Sequence, residues 1–124
     1  MPRILTVDDS VAMRQMVEVT LTSAGYDVKQ AENGVEALSI ANSQSFDLVI
    51  TDVNMPQMDG LTFIRALRRQ ALPTGSTPAL VTSTEAAAQD RTAARAAGAN
   101  FYLVKPVDRD SLVEFASMLT GVSR

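Results

Sequence analysis

Leu48-Val49-Ile50 is an unbroken aliphatic run between Asp47 and Thr51-Asp52, and it constrains the fold more than any other stretch of the chain. No polar residue alternates with these side chains, so the run has no face to offer to water. A strand buried on both sides belongs in a parallel sheet covered by helices. The strand ends on a carboxylate, Asp52, and leads into Val53-Asn54-Met55-Pro56-Gln57-Met58-Asp59-Gly60. An Asp just past a buried strand is ordinarily a turn or cap residue, its oxygens taken by nearby backbone N–H groups. Whether Asp52 does chemistry therefore depends on which other residues reach the same edge of the sheet.

The flanking sequence repeats the strand and helix alternation. Ile4 to Val7 is a short apolar run ending at Asp8-Asp9-Ser10, after which Met13, Val17, Leu21 and Ala24 recur at helical spacing. Ser10 is a natural N-cap for that helix and Gly25 a natural C-cap. Tyr26 to Ala31 predicts a second strand, and Asn33-Gly34 turns the chain into a helix carrying Val35, Leu38 and Ala41. Asp59 caps a third helix, on which Gly60, Phe63, Ile64 and Leu67 form one stripe. Pro73, Gly75 and Pro78 mark a loop before a fourth strand over Ala79 to Thr82. An Ala-rich helix then spans about Gln89 to Ala97 and closes at Gly98. Phe101 to Val104 predicts the fifth strand, and Asp108 caps a last helix with Leu112, Phe115, Ala116 and Leu119 inward. Five strand–helix pairs imply an α/β fold, a parallel sheet wound on both faces by right-handed crossovers.

Composition narrows the chemistry. At 124 residues and 46% hydrophobic content the sequence fits one domain, with no repeat and no linker. Histidine and cysteine are both absent, which excludes Ser-His-Asp and Cys-His catalysis, disulfides, thiol redox chemistry and Cys/His zinc sites. Only carboxylates, hydroxyls and lysine are left. With 11 basic and 14 acidic residues the net charge is −3, and the one basic trio, Arg65, Arg68 and Arg69, reads as a solvated helix face. No nucleic-acid partner is expected. No apolar run approaches the ~20 residues a membrane span needs, so a soluble cytoplasmic protein without a membrane partner is the expectation.

In parallel α/β sheets, sites form outside the carboxyl ends of the strands. Here the first strand ends at Asp8 and Asp9, the third at Asp52, the fourth at Ser83 and the fifth at Lys105. Two carboxylates ~4 Å apart repel by about 4 kcal/mol at an effective dielectric near 20, so a cation must sit among them. Lys105 is one candidate and a hard divalent cation such as Mg²⁺ the other, since carboxylate and carbonyl oxygens suit it. A structural ion pair would explain Lys105 with Asp52 alone. Three carboxylates, a hydroxyl and a lysine at four strand ends exceed what stability requires.

These segments, Val7-Asp8-Asp9-Ser10, Asp52 to Gly60, Val81-Thr82-Ser83 and Tyr102-Leu103-Val104-Lys105-Pro106, resemble those of the receiver domains of two-component response regulators, specifically the single-domain CheY-like proteins. The resemblance implies a flavodoxin-like (βα)5 three-layer sandwich with strand order 2-1-3-4-5, a receiver domain over residues 1–124 and no output domain. It implies that Asp52 is the phosphoacceptor and that Asp9 and Asp52 bind Mg²⁺ directly, Asn54 through its backbone carbonyl and Asp8 mainly through water. Lys105 and Ser83 would contact the attached phosphoryl group, Tyr102 would act with Ser83 as the switch, and the Lys105–Pro106 bond would be cis. With no histidine in the chain, the phosphodonor is a separate histidine kinase. The output partner would dock on the face made by the fourth helix, fifth strand and fifth helix, in chemotaxis-type signalling by a monomer. Such a protein is no enzyme beyond its own autophosphorylation and autodephosphorylation.

Three alternatives stand beside this reading. The fourth helix reads as Ala-rich, with Ala86, Ala87 and Ala88 where motor-binding relatives tend to be more basic, which argues against motor binding and leaves a phosphate sink or the control of another kinase open. An aspartyl phosphatase of the haloacid dehalogenase type often has a second Asp two residues after its nucleophile, and that position is Asn54. A flavodoxin-like cofactor binder would need a phosphate-cradling Gly-rich loop, and neither GxxxxGK[ST] nor GxGxxG occurs.

Overall fold

The computed structural model describes residues 2–121. Its elements are β1 (Arg3–Val7), α1 (Val11–Ser23), β2 (Asp27–Ala31), α2 (Gly34–Ser43), β3 (Leu48–Asp52), α3 (Gly60–Arg68), a 3-10 turn (Thr74–Ser76), β4 (Ala79–Ser83), α4 (Ala88–Ala97), β5 (Phe101–Val104) and α5 (Arg109–Thr120). The sheet runs β2-β1-β3-β4-β5 with every neighbouring pair parallel. This is the flavodoxin-like (βα)5 sandwich, and β3 is its central strand.

Burial on both faces explains why β3 is so apolar: all five of its residues, Leu48 to Asp52, are buried. On one face Leu5, Val7, Val49 and Val81 pack under Phe63, Ile64 and Leu67 of α3, Ala37 and Ala41 of α2, and Ala94 and Ala97 of α4. On the other, Ile4, Leu48, Ile50 and Leu80 meet Val17 and Leu21 of α1 and Leu112 and Ala116 of α5. A buried Leu or Ile contributes about 1.5–3 kcal/mol relative to exposure, so the two layers rather than the charged edge hold the sheet.

Helix starts follow the sequence closely. Ser10, Asn33, Asp59 and Asp108 each accept a hydrogen bond from the backbone N–H three residues on, at Met13, Glu36, Thr62 and Ser111. Such caps are each worth ~1 kcal/mol. α4 is the exception, because its N-cap, Ala87, has no side-chain oxygen to offer.

Four sequence expectations need correction. The cap of α1 is Ala24, and Gly25 is the next residue, in the left-handed region at φ 98°. Val35 is exposed, because the start of α2 at Gly34 turns the buried stripe onto Ala37 and Ala41. Ala86 and Ala87 precede α4, and of that trio only Ala88 is helical. Arg68 is no solvated residue. Its Nε and Nη2 donate to the Gly98 carbonyl at 3.0 and 2.8 Å, its Nη1 donates to the carbonyls of Gly75 and Thr77 at 3.2 and 2.6 Å, and Nη2 also reaches Asn100 Oδ1 at 3.1 Å. One guanidinium thereby ties the end of α3 to the loop before β4 and to the turn before β5.

Candidate functional site

The site is assembled by strand ends. In register, Val7 pairs with Thr51 and Asp52 with Thr82, so Asp8 and Asp9 emerge beside Asp52 at the same edge. The three carboxylates each offer an oxygen such that all three lie within 4.8 Å of one another. Asp8 is 2% exposed and Asp52 7%, whereas Asp9 is open to solvent. Lys105 directly follows β5, its bond to Pro106 is cis, and its Nζ lies 3.1 Å from Asp8 Oδ2 and 3.2 Å from Asp52 Oδ1.

Backbone geometry supports this placement. Asp8 Oδ1 accepts the Ser10 N–H at 2.9 Å, and Arg14 Nη1 donates to the Asp8 carbonyl at 2.6 Å. Behind Asp52, the Gly60 N–H donates to the Val53 carbonyl at 2.8 Å, so the start of α3 lies against the strand end. A Cβ at Gly60 would overlap the Asp52 carbonyl oxygen, which is why that position has no side chain. Within the intervening loop, Gln57 takes φ 68°, a left-handed conformation uncommon outside glycine. Met55 and Met58 are half-buried against the α3-side core, as packing residues are.

Charge at this edge is not balanced. Burial and the neighbouring Asp8 charge raise the Asp52 pKa above its ordinary value, against the opposing pull of Lys105. Burial also pulls Lys105 down, yet its hydrogen bond to Asp8 and the charges of Asp8 and Asp52 outweigh burial and hold it above its usual range. One ammonium among three carboxylates leaves an excess of negative charge. A hard divalent cation fits this donor set of oxygen ligands, one of them solvent-facing.

The remaining predicted residues lie around the cluster. Asn54 is exposed two residues past Asp52, and its carbonyl accepts no hydrogen bond among the described residues. Ser83 ends β4, is 1% exposed, and its Oγ accepts the Glu85 N–H at 3.1 Å. Tyr102 is half-buried, and its hydroxyl donates to the Glu85 carbonyl at 2.8 Å. Ser83 and Tyr102 therefore hold the two backbone groups of a single residue. Neither Glu85 nor Arg91, whose guanidinium lies 5.1 Å from the Tyr102 ring centroid, was evident from sequence. The first acts through its backbone, which sequence does not mark, and the second through a contact between α4 and β5.

Comparison with known proteins agrees with the architecture. Residues 4–117 match the model of the response regulator receiver domain. The chain is 39% identical over 120 residues to the sensor protein EvgS of Escherichia coli (strain K12), an alignment that takes in 97% of this chain and 10% of that protein. It spans less than half the length of the curated relatives it matches. Among solved structures it is similar to the Vibrio cholerae chemotaxis protein CheY4, with TM-score 0.90, 41% identity, and coverage of 96% of this chain and 98% of that one. It also resembles the receiver domain of sensor histidine kinase PA1611 from Pseudomonas aeruginosa PAO1, with TM-score 0.88, 30% identity, and coverage of 97% and 98%. That structure has a magnesium ion coordinated in its active site cleft. No helix among the described residues is long and apolar enough to cross a membrane. A match that spans nearly the whole chain places it in a family: this is a response regulator receiver domain of the two-component systems, with a CheY-like fold.

Proposed function

We propose that the chain is a phosphorylation-controlled switch that accepts a phosphoryl group on Asp52 from the phosphohistidine of a separate histidine kinase. The observation that carries this reading is the acidic edge, where three carboxylates offer oxygens within 4.8 Å of one another and one ammonium pairs with two of them, Asp8 and Asp52. An Asp52 oxygen attacks phosphorus in line, the P–N bond of the donor breaks, and the imidazole leaves with that electron pair. Positioning and charge neutralisation supply most of the catalysis in such transfers. Asp8, Asp9, Asp52 and the Asn54 carbonyl would hold Mg²⁺, which when bound supplies neutralising charge for the phosphoryl oxygens. Lys105, whose Nζ is already 3.2 Å from Asp52 Oδ1, contributes a second positive charge.

A phosphoryl group adds about −1.5 to −2 charges and three acceptor oxygens. Ser83 then turns its hydroxyl toward that group and gives up the Glu85 N–H. Glu85, also held by Tyr102, transmits the change to β5 and so to the output face formed by α4, β5 and α5. Turnover on external phosphate esters is not expected, and activity is confined to autophosphorylation and autodephosphorylation of the chain. The similarity to the chemotaxis protein CheY4 supports a chemotaxis-type pathway, with the chain acting as a cytoplasmic monomer. The exposed alanines 86–88 favour, as a second reading, a phosphate sink or a regulator of another kinase over a motor-binding output.

Incubation with acetyl phosphate tests the assignment. Intact-mass analysis should find one added phosphoryl group with Mg²⁺ and none with EDTA. An Asp52→Asn variant that still gains the group would sink the reading.

A further inference from the structure

Asp8 is held at every polar group it has. Its N–H donates to the Ala31 carbonyl at the end of β2 at 3.1 Å, its Oδ1 accepts the Ser10 N–H, and its Oδ2 meets Lys105 Nζ. The carbonyl is served differently. Asp8 lies one residue past Val7, the last paired residue of β1, and among the described residues no backbone N–H donates to its oxygen. Arg14 fills that gap from α1, with Nη1 2.6 Å from the Asp8 carbonyl oxygen. Its Nε in turn donates to Gln30 Oε1 on β2 at 3.0 Å, so the guanidinium is tied at both ends of its fork.

The oxygen that Arg14 meets belongs to the peptide group joining Asp8 to Asp9. That group is planar, so a donor on its oxygen also sets the direction of the Asp9 N–H and the course of the chain into Asp9. Two of the three clustered carboxylates leave the backbone on either side of it. Arg14 pairs with neither of them, and among the described residues it forms no ion pair at all. A cation placed to balance the acidic edge would reach a carboxylate oxygen, as Lys105 does. The rigid planar fork of Arg14 is spent instead on a main-chain oxygen and a neutral amide, where it orients and does not neutralise.

We propose that Arg14, braced by Gln30, is a positioning residue for the divalent-cation site: it fixes the Asp8–Asp9 peptide plane and with it the orientation of the carboxylates on both sides. This role rests on the reading of the acidic edge as a Mg²⁺ site. Residues that hold metal ligands from behind commonly change metal affinity about 10–100-fold when they are removed, because a ligand free to turn must be ordered again at binding. The competing roles predict different signs. If Arg14 acted by charge alone it would repel a cation, and its removal would tighten binding. If it only tied α1 to β2, its removal would lower stability and leave the affinity unchanged. Loss of a positioning residue weakens the affinity even though a repelling charge has gone.

The test follows the melting midpoint of the full chain against Mg²⁺ concentration, each variant starting from its own value in EDTA. The gain in stability with metal yields the native-state dissociation constant whatever the starting stability. Arg14→Met should raise that constant about tenfold, and Gln30→Leu, which alters no charge, about threefold. The double variant should match Arg14→Met within about twofold, since Gln30 acts through Arg14. Arg68→Met, which lowers stability far from the acidic edge, should keep the wild-type constant. An Arg14→Met constant equal to or below that of the wild type overturns the proposal and leaves the Mg²⁺ reading standing. So does an equal weakening in Arg68→Met, which would make the loss a general consequence of lower stability. Additive effects in the double variant overturn the brace by Gln30. If Arg14→Met does not fold, Gln30→Leu decides alone, and an unchanged constant there overturns the proposal. A wild-type midpoint that Mg²⁺ does not move refutes the metal reading and this role with it.

Discussion

The acidic edge of the sheet and the Arg68 cluster are two half-buried charged sites in one small domain, and they are satisfied in opposite ways. Among the described residues Arg68 has no carboxylate partner. Its guanidinium is met by the carbonyls of Gly75, Thr77 and Gly98 and by Asn100 Oδ1, so each N–H group of the fork has somewhere to go. Burial lowers the pKa of Arg68, but a guanidinium so far above neutrality stays charged. At the acidic edge the count runs the other way, since one lysine pairs with two of the three clustered carboxylates and Asp52 is pushed toward its protonated form. A buried charge whose hydrogen bonds are complete is a structural device. One left in excess is poised for a ligand of the missing sign.

That contrast can be broken by substitution. The largest effect should come from Arg68→Met, which keeps an apolar stem and deletes the donors. Three backbone carbonyls lose a charged partner, and we expect a loss of about 2–4 kcal/mol, read as a lower urea midpoint. A change under about 0.5 kcal/mol would mean that water replaces the guanidinium at no cost and that the clamp is incidental.

Asp52→Asn should act in the opposite direction. A carboxyl whose pKa is raised on folding binds protons more tightly in the native state. Stability from this group is therefore highest in acid and falls as the pH rises from near the unfolded value, 3.8, through the raised native one. In EDTA at neutral pH the Asn variant should be more stable than the wild type, on the order of 1 kcal/mol, with the gap closing toward pH 4. Lys105 does not confuse the comparison. Its pKa is raised, so its contribution is complete below 10.5 and is lost only as the pH climbs through the native value. Wild type and variant that match at both pH values would show that the edge is already neutralised.

The smallest effect belongs to Tyr102→Phe, which deletes a hydrogen bond to the Glu85 carbonyl from a half-buried position. We expect a loss of about 0.5–1 kcal/mol in stability and unimpaired phosphorylation at Asp52. A variant that no longer accepts the phosphoryl group would place Tyr102 in the acceptor site itself and not downstream of it.

Much of the acidic edge was legible in the sequence because polar residues end apolar strands there. Asp8, Asp9, Asp52, Ser83 and Lys105 each close a run of Val, Leu, Ile or Thr, and the parallel topology sends all those ends to one side. The Arg68 cluster was illegible for a physical reason. Its partners are main-chain carbonyls, which every residue possesses, and they come from turns 7 to 30 residues away. Val35 was misplaced on a smaller scale, since the buried stripe of a short helix depends on the residue at which it starts. Tyr102 was legible as a residue but not in its contacts, because Glu85 and Arg91 reach it from a loop and a helix that sequence spacing does not bring together.

The account rests on the claim that the acidic edge binds a divalent cation in the native fold, and thermal unfolding with and without that cation tests it most directly. Because Mg²⁺ would bind the native state alone, saturation a hundredfold above its dissociation constant should add ~2.7 kcal/mol and raise the melting midpoint. Asp9→Asn should remove most of that rise, whereas Arg68→Met, although less stable, should keep it. Melting curves of the wild type that coincide in Mg²⁺ and in EDTA would contradict the claim.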